Sequence, residues 1–445
     1  MLTDQLFVDP AVLRCLDERA TLQGMLDFEA ALARAESGSG VIPASAAAAI
    51  GAASHATEFD AAEIARGAAQ AGNVAIPLVR ALTARVATAD EEAARYVHWG
   101  ATSQDAIDTG LVLQLRAALT HVGGVLGDLE ASLASLAERH LETVMAGRTW
   151  LQHATPTTFG RKAAGWLTAV RRTRTSLERA LREASVVQFG GASGTLAALG
   201  DRGLVVAERL ARELDLALPA LPWHAERDRF AALAAACGNV AGILGKIARD
   251  LSLLAQNEIA EASEPAAPGR GGSSTMPQKR NPVACAVALA AAVRAPGLVA
   301  TIFAALPQEH ERGLGGWHAE WETLPELVRL LSGSARAMAQ AFAGLEVDPA
   351  RMRANLELTQ GFVMAESFKT ALAASLGLQR AHEVVETATR RALAERLSLR
   401  AALASEPLVL EHLSPDALDR AAEPRNYLGV AGEFVRRALA EEGSA

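Results

Sequence analysis

Four polar segments interrupt a 445-residue chain otherwise rich in alanine, leucine and arginine. Each carries more hydrogen-bonding side chains than a simple connection between helices needs. The first, HWGATSQDAIDT at 98–109, places Thr102 and Ser103 where a helix begins, so their hydroxyls and the free backbone N–H groups can hold a carboxylate. Ordinary N-capping would explain Thr102, Ser103 and Asp105, but not His98, Gly100 and Gln104. The second, GRTWLQHATPTTFG at 147–160, offers Arg148, Thr149 and Gln152 as donors around a proline-containing turn; a capped connection is the plain alternative. The third, GRGGSSTMPQKRNP at 269–282, is the most specific. Three glycines permit unusual φ and close approach of backbone to a ligand, two serines (Ser273 and Ser274) follow, and Lys279 and Asn281 add a compact charge and an amide. The order of glycines and lysine is not that of a phosphate-binding P-loop. The fourth, at 307–326, mixes His310, Arg312, His318 and two tryptophans. Without H-E-x-x-H spacing it favours substrate contact or buried polar packing over a metal site.

Long helices must position these segments. Leu111, Leu115, Leu119, Val122, Leu126, Leu129, Leu133 and Leu136 recur in steps of four and three, which predicts a helix of about thirty residues and about 45 Å. Phe230, Leu233, Cys237, Val240, Leu244, Ile247, Leu251 and Leu254 predict a second. A third is expected from Arg161 toward Val187, and a fourth from Pro282 with Asn281 as its N-cap. Aromatic residues make up only 4% and β-branched alternation is scarce, so the fold class is all-α, with the long helices packed as a bundle. A helical domain at 1–105, a long-helix domain at 106–344 and a helical domain at 345–445 are expected. The first and second polar segments flank one long helix and so sit at its opposite ends. If both serve one active site, another copy of the chain must supply one of them, which predicts an obligate homo-oligomer.

The stretch GSSTMPQKRNP resembles the shared loop of the fumarase/aspartase superfamily, and the first and second segments fall in the matching order and spacing over nearly the whole chain. The resemblance implies a three-domain all-α homotetramer with a twenty-helix core, active sites built from three subunits, and chemistry beside a carboxylate through an aci-carboxylate intermediate. It implies that Ser273 transfers the proton, that Lys279 and Asn281 stabilise the intermediate, and that Thr102, Ser103, Arg148, Thr149, Gln152, Ser274 and Arg312 contact substrate; His98 would replenish the proton. Two departures narrow the choice. Elimination lyases of the superfamily carry His after G-R-T and Glu five residues after the loop asparagine, whereas Trp150 and Ala286 stand here. An enzyme protonating an amine leaving group would suffer from both losses, but one whose attacking group is a carboxylate would not. GRTWLQHATP, HERGLGGWHAEWETLP and LQGMLDFEAALARAE look closely like the bacterial branch that lactonises 3-carboxy-cis,cis-muconate to 4-carboxymuconolactone in the protocatechuate branch of the β-ketoadipate pathway. Elimination from a substituted succinate is the alternative within the superfamily, and a non-catalytic structural tetramer is the alternative outside it.

Composition sets the remaining limits. The net charge of −8 gives no general basic footprint for nucleic acid, so a tricarboxylate must be drawn by local groups such as Lys279, Arg312 and Arg148. Cys15, Cys237 and Cys285 lack C-x-x-C spacing and read as small buried residues, with no disulfide framework and no thiolate metal site. Unbroken apolar runs such as 283–293 stop short of a membrane span, and MLTDQLFVDP carries no secretory pattern, so a cytoplasmic enzyme without membrane partner, metal or organic cofactor is expected.

Overall fold

The computed structural model describes residues 2–266, 271–272, 275–276 and 278–441. Helices dominate as expected, and the strands among these residues form two antiparallel pairs, β1 (Val144–Thr149) with β2 (Gln152–Thr158) and β3 (Ala262–Ser263) with β4 (Glu346–Val347). The leucine stripe lies on the helix Ser103–Arg139, whose 37 residues give about 55 Å. Every residue of that stripe is buried. The second stripe lies on Asp228–Leu254, and the other long helices are Phe159–Ala184, Val283–Ala304 and Gly316–Ala343.

Two boundaries differ from expectation. The helix from Phe159 stops at Ala184 because the next residues run extended, with Val186 bridging Ala217. The helix expected from Pro282 begins at Val283, and its first free N–H groups, those of Ala284 and Cys285, donate to the Glu264 carboxylate at 3.1 and 3.0 Å. A distant carboxylate rather than the Asn281 side chain therefore caps that helix, with the favourable sign for its dipole.

Contacts divide the chain into two compact units. The first comprises Met1–Leu126, Thr173–Gly245 and Val287–Ala337. In it, helix Glu18–Gly38 crosses the Ser103 helix at two glycines. A Cβ on Gly24 would lie 2.8 Å from the Gly110 carbonyl oxygen, and one on Gly110 would lie 3.0 Å from the Gly24 carbonyl carbon. The buried face of Glu18–Gly38 carries Leu22, Met25, Leu26 and Leu32, and in the same stripe Glu29 and Glu36. The second unit comprises Gly127–Arg172, Lys246–Ala286 and Met338–Ala445. Val144 and Ala146 of β1 enter a core with Phe368, Leu372, Leu403 and Val409 from the C-terminal helices. Phe159, Trp166 and Phe342 stack edge to face in turn, at 5.9 and 5.6 Å between centroids.

The membrane expectation needs correcting at the level of single helices. No unbroken apolar run reaches span length, but averaged over 18 residues three helices among the described residues are long and apolar enough to cross a membrane: Ser103–Arg139, Asp228–Leu254 and Val283–Ala304. Alanine accounts for much of this, since it raises mean hydropathy without forming a continuous run of large apolar side chains. In the first two helices 56% and 61% of the apolar window is buried within the chain, and in Val283–Ala304 only 33%.

Candidate active site

In the first unit, the first and fourth polar segments are joined by a buried hydrogen-bond network. Asp105, in the first turn of the Ser103 helix, accepts from the N–H groups of Thr102, Gly190 and Gly191 and contacts His224 Nε2 at 2.7 Å. One turn later, Asp108 takes the guanidinium of Arg227 at 2.7 and 3.1 Å and the indole N–H of Trp317 at 2.9 Å. Arg227 also donates to Glu320, and its guanidinium lies over the rings of Trp223 and Phe230. Burial opposes the charge on Arg227, but Asp108 and Glu320 outweigh it and raise its pKa. Gln104 links the two segments: its amide donates to Asp108 and to the His224 carbonyl while its oxygen accepts from Arg312 Nε at 2.9 Å. Arg312 donates a second bond to the Ala192 carbonyl. Its guanidinium is thus fixed from behind, beside the helix start at which Thr102 and Ser103 stand half-buried.

His98 lies in the same segment with φ +61°, a left-handed conformation that residues with a Cβ seldom adopt. Its Nδ1 is 2.6 Å from Glu29 Oε1, and the side chains are 17% and 1% exposed. Burial disfavours the protonated ring, but the charge and hydrogen bond of Glu29, with Asp105 beyond, outweigh it and hold the histidine above its ordinary pKa.

The second and third segments belong to the second unit. The expected proline-containing turn is a β-hairpin, with Arg148 opposite His153 and Thr149 opposite Gln152. A bulge falls between Ala146 and Arg148, where a Cβ on Gly147 would lie 2.6 Å from the Thr155 carbonyl oxygen. Trp150 and Leu151 form the two-residue turn at φ +52° and +64° and are 97% and 76% exposed. Asn-Gly is the usual choice at such a turn, so this tip is strained. Thr149 and Gln152 stand exposed beside it. The Arg148 guanidinium meets the buried Glu261 carboxylate in a two-pronged pair at 2.9 and 2.6 Å, and Asn355 donates to the same carboxylate. His153 has a buried Nδ1 without a partner among the described residues, and burial, then the Arg148 charge, lower its pKa.

Ser273 and Ser274 lie outside the described residues. Among the described residues of this segment, the Asn281 N–H donates to the Gly271 carbonyl, and a Cβ on Gly271, at φ +67°, would lie 2.5 Å from the Asn281 carbonyl oxygen. Arg280 grips Glu346 with two bonds and the Glu264 carbonyl with a third. Exposed Lys279 and half-buried Asn281 line a cleft of about 920 Å³ with Glu264 and Glu346. His310 and His318 are exposed, and among the described residues no group of three or more His, Cys, Asp or Glu is arranged to hold a metal.

Sequence reasoning missed Asp108, His224, Arg227 and Glu320 of the buried network, and also Glu29, Glu261 and Glu264. Glu29 had a readable signal, since a glutamate interrupts an apolar stripe of period 3.6. Glu261 and Glu264 had none, because their partners are remote in sequence.

A predominantly helical chain with Thr102 and Ser103 at a helix start in one unit, and Lys279 and Asn281 before a helix start in the other, has the make-up of a lyase of the fumarase/aspartase type. The family model described as "Lyase" matches residues 9–297, and that described as "Adenylosuccinate lyase C-terminus" matches 361–438; the chain belongs to this lyase family. Among curated relatives, the 3-carboxy-cis,cis-muconate cycloisomerase of Pseudomonas aeruginosa is 57% identical over 99% of this chain and 96% of its own length. The crystal structure of 3-carboxy-cis,cis-muconate lactonizing enzyme from Pseudomonas putida matches with a TM-score of 0.95 at 53% identity, covering 99% of this chain and 98% of that one. Nitrosuccinate lyase of Streptomyces davaonensis is 42% identical over 95% of this chain and 91% of its own.

Proposed function

We propose that this chain is a cycloisomerase that converts 3-carboxy-cis,cis-muconate to 4-carboxymuconolactone. Full-length likeness to relatives bearing that activity carries the reading, and Trp150 and Ala286, in place of the proton-handling pair of elimination lyases, agree with it. One carboxylate of the substrate adds to a conjugated double bond and becomes an ester, while a C–H bond forms beside another carboxylate. A trianion plus one proton becomes a dianion, so each turnover takes one proton from solvent and releases no fragment.

The protein has three tasks: to gather three negative charges, to stabilise the aci-carboxylate, and to deliver a proton. Lys279, Arg312 and the helix start at Thr102 and Ser103 take the first. Lys279 and Asn281 take the second, where preorganised charge and donors act on charge that develops only in the transition state. Ser273 delivers the proton. Thr149, Gln152 and Ser274 complete the substrate contacts. Arg148 supports the hairpin through Glu261, and it reaches substrate only if that pair opens. The chemistry calls for no metal or organic cofactor.

The site is shared between copies in a homotetramer of three-domain protomers, divided at 1–105, 106–344 and 345–445. Supporting this, Trp150 and Leu151 project an apolar tip, and helix Val283–Ala304 leaves Val293 and Phe303 exposed, surfaces that a second copy would cover. The cytoplasm is its compartment.

The test mixes chelator-treated protein with 3-carboxy-cis,cis-muconate and follows diene absorbance together with proton uptake. One proton consumed per lactone formed is expected. Ser273→Ala should lower turnover by about 10²–10⁴-fold with the oligomer intact, and near-normal turnover would remove Ser273 from proton transfer.

A second reading is favoured by one observation, the likeness to nitrosuccinate lyase. Elimination of a group that leaves as a stable anion would also dispense with the pair lost at Trp150 and Ala286. Release of an unsaturated dicarboxylate from a substituted succinate, without proton uptake, would establish it.

A further inference from the structure

A reaction that draws one proton from solvent per turnover needs a donor that is reloaded in every cycle, and this requirement rests on the cycloisomerase reading of the function. The chain lacks the histidine and glutamate that elimination lyases carry at positions 150 and 286, yet it holds a histidine–glutamate pair elsewhere. We infer that Glu29 is the positioning residue of a Glu29–His98 proton relay: its carboxylate fixes the imidazole through Nδ1, so that Nε2 carries the proton handed toward the substrate.

The geometry departs from that of ordinary packing in three ways. The Nδ1 to Oε1 distance of 2.6 Å is that of a charge-assisted hydrogen bond. The Glu29 carboxylate is buried within a helix face that is apolar but for Glu36, and its Oε2 has no hydrogen-bond partner among the described residues. A pair kept for stability alone would be better replaced by apolar side chains of similar volume. His98 is also held at positive φ, four and five residues before Thr102 and Ser103 at the helix start assigned to substrate carboxylate. Backbone strain of this kind persists where the surroundings impose it, and it clusters at functional sites.

The groups facing the imidazole come from two helices. Glu29 contacts it from Glu18–Gly38, with Glu36 further along the same stripe, and Asp105 faces it from the start of Ser103–Arg139. Asp105 is already occupied by three N–H groups and His224 Nε2, so direct contact falls to Glu29. Glu36 is neutral through the working range, pushed up to about 9 by burial and by the Glu29 charge. Their sum favours the protonated ring, as a reloadable donor near neutral pH requires. The imidazolium releases its Nε2 proton to replace the one that Ser273 has given to the carbon beside the aci-carboxylate, and the neutral ring then takes one proton from water.

The experiment compares the parent protein with Glu29→Gln and Glu29→Asp, using pH profiles of kcat and of kcat/KM and the titration of His98 by NMR of ¹³C-labelled histidine. His98→Gln identifies the resonance. In Glu29→Gln, kcat at neutral pH should fall about 10–100-fold with KM changed less than about twofold. Its alkaline limb should move to lower pH, and the His98 titration should move with it. Glu29→Asp, which keeps the charge, should recover part of both shifts, and it decides the matter if the glutamine variant does not fold. A rate loss with the pH profile and His98 titration unchanged would overturn the relay and leave Glu29 structural. A shifted titration with an unchanged profile would overturn it equally. If the parent protein neither consumes 3-carboxy-cis,cis-muconate nor takes up protons, the functional reading fails and the relay falls with it; if the parent turns over, only the relay is at stake.

Discussion

Glu36 makes the stability of the fold depend on pH in a direction opposite to that of a paired surface carboxylate. It is fully buried on helix Glu18–Gly38, neither carboxylate oxygen has a hydrogen-bond partner among the described residues, and burial, then the Glu29 charge, raises its pKa from 4.5 to about 9. Between those values the folded protein keeps a proton that the unfolded chain releases. Stability from this group is therefore complete below about pH 4.5 and is lost progressively as pH rises toward 9. At about pH 7.5 the separation from the unfolded value is about three pH units, and at 1.36 kcal/mol each the penalty is about 4 kcal/mol. Relaxation around the charged form trims it, so about 2–4 kcal/mol is expected. Glu36→Gln removes the titration and keeps the volume, and since the neutral acid and the amide both bury unpartnered polar atoms, that cost nearly cancels. Urea unfolding of both proteins at one fixed protein concentration, from about pH 5 to 9, provides the assay. The curves should nearly coincide at the acid end, with the variant increasingly more stable toward the alkaline end. A constant offset across the range, or a variant less stable throughout, would refute the reasoning by showing that Glu36 titrates normally or has a partner.

Two substitutions in the first unit probe its packing. Arg227→Met strands the buried carboxylates of Asp108 and Glu320 and should cost about 3–5 kcal/mol in urea unfolding; a loss below about 1 kcal/mol would mean that water reaches the pair. Gly24→Ala drives a Cβ against the Gly110 carbonyl oxygen and should cost about 1–3 kcal/mol, because backbone rather than a flexible side chain must give way. An alanine variant as stable as the parent would show that the two helices separate freely at this crossing.

How much could be read in advance varied with the distance over which the controlling interaction acts. The long helices were legible because a stripe such as Leu111 to Leu136 writes its period along the chain, and a helix that buries one face must show that period. The first and third segments were legible as helix starts by the same local logic. The hairpin was not, since Trp150 and Leu151 are poor residues for a two-residue turn; only the pairing of β1 with β2 holds them at positive φ. Glu29 and Glu36 were visible within an apolar stripe, but a glutamate in an alanine-rich helix reads equally well as facing solvent until another element covers it.

Sequence by itself determined that the chain is all-α, that polar segments lie between its long helices, and that Trp and Ala stand at positions 150 and 286. Tertiary structure decided what each charge does. Arg148 meets Glu261 across 113 positions, Arg227 meets Asp108 across 119, and Glu264 caps a helix that starts nineteen residues later. Residue type and spacing set backbone conformation over a few turns, whereas the partner of a buried charge is chosen by packing. The cost of leaving that charge unpaired exceeds any local preference, so only the assembled fold can name the partner.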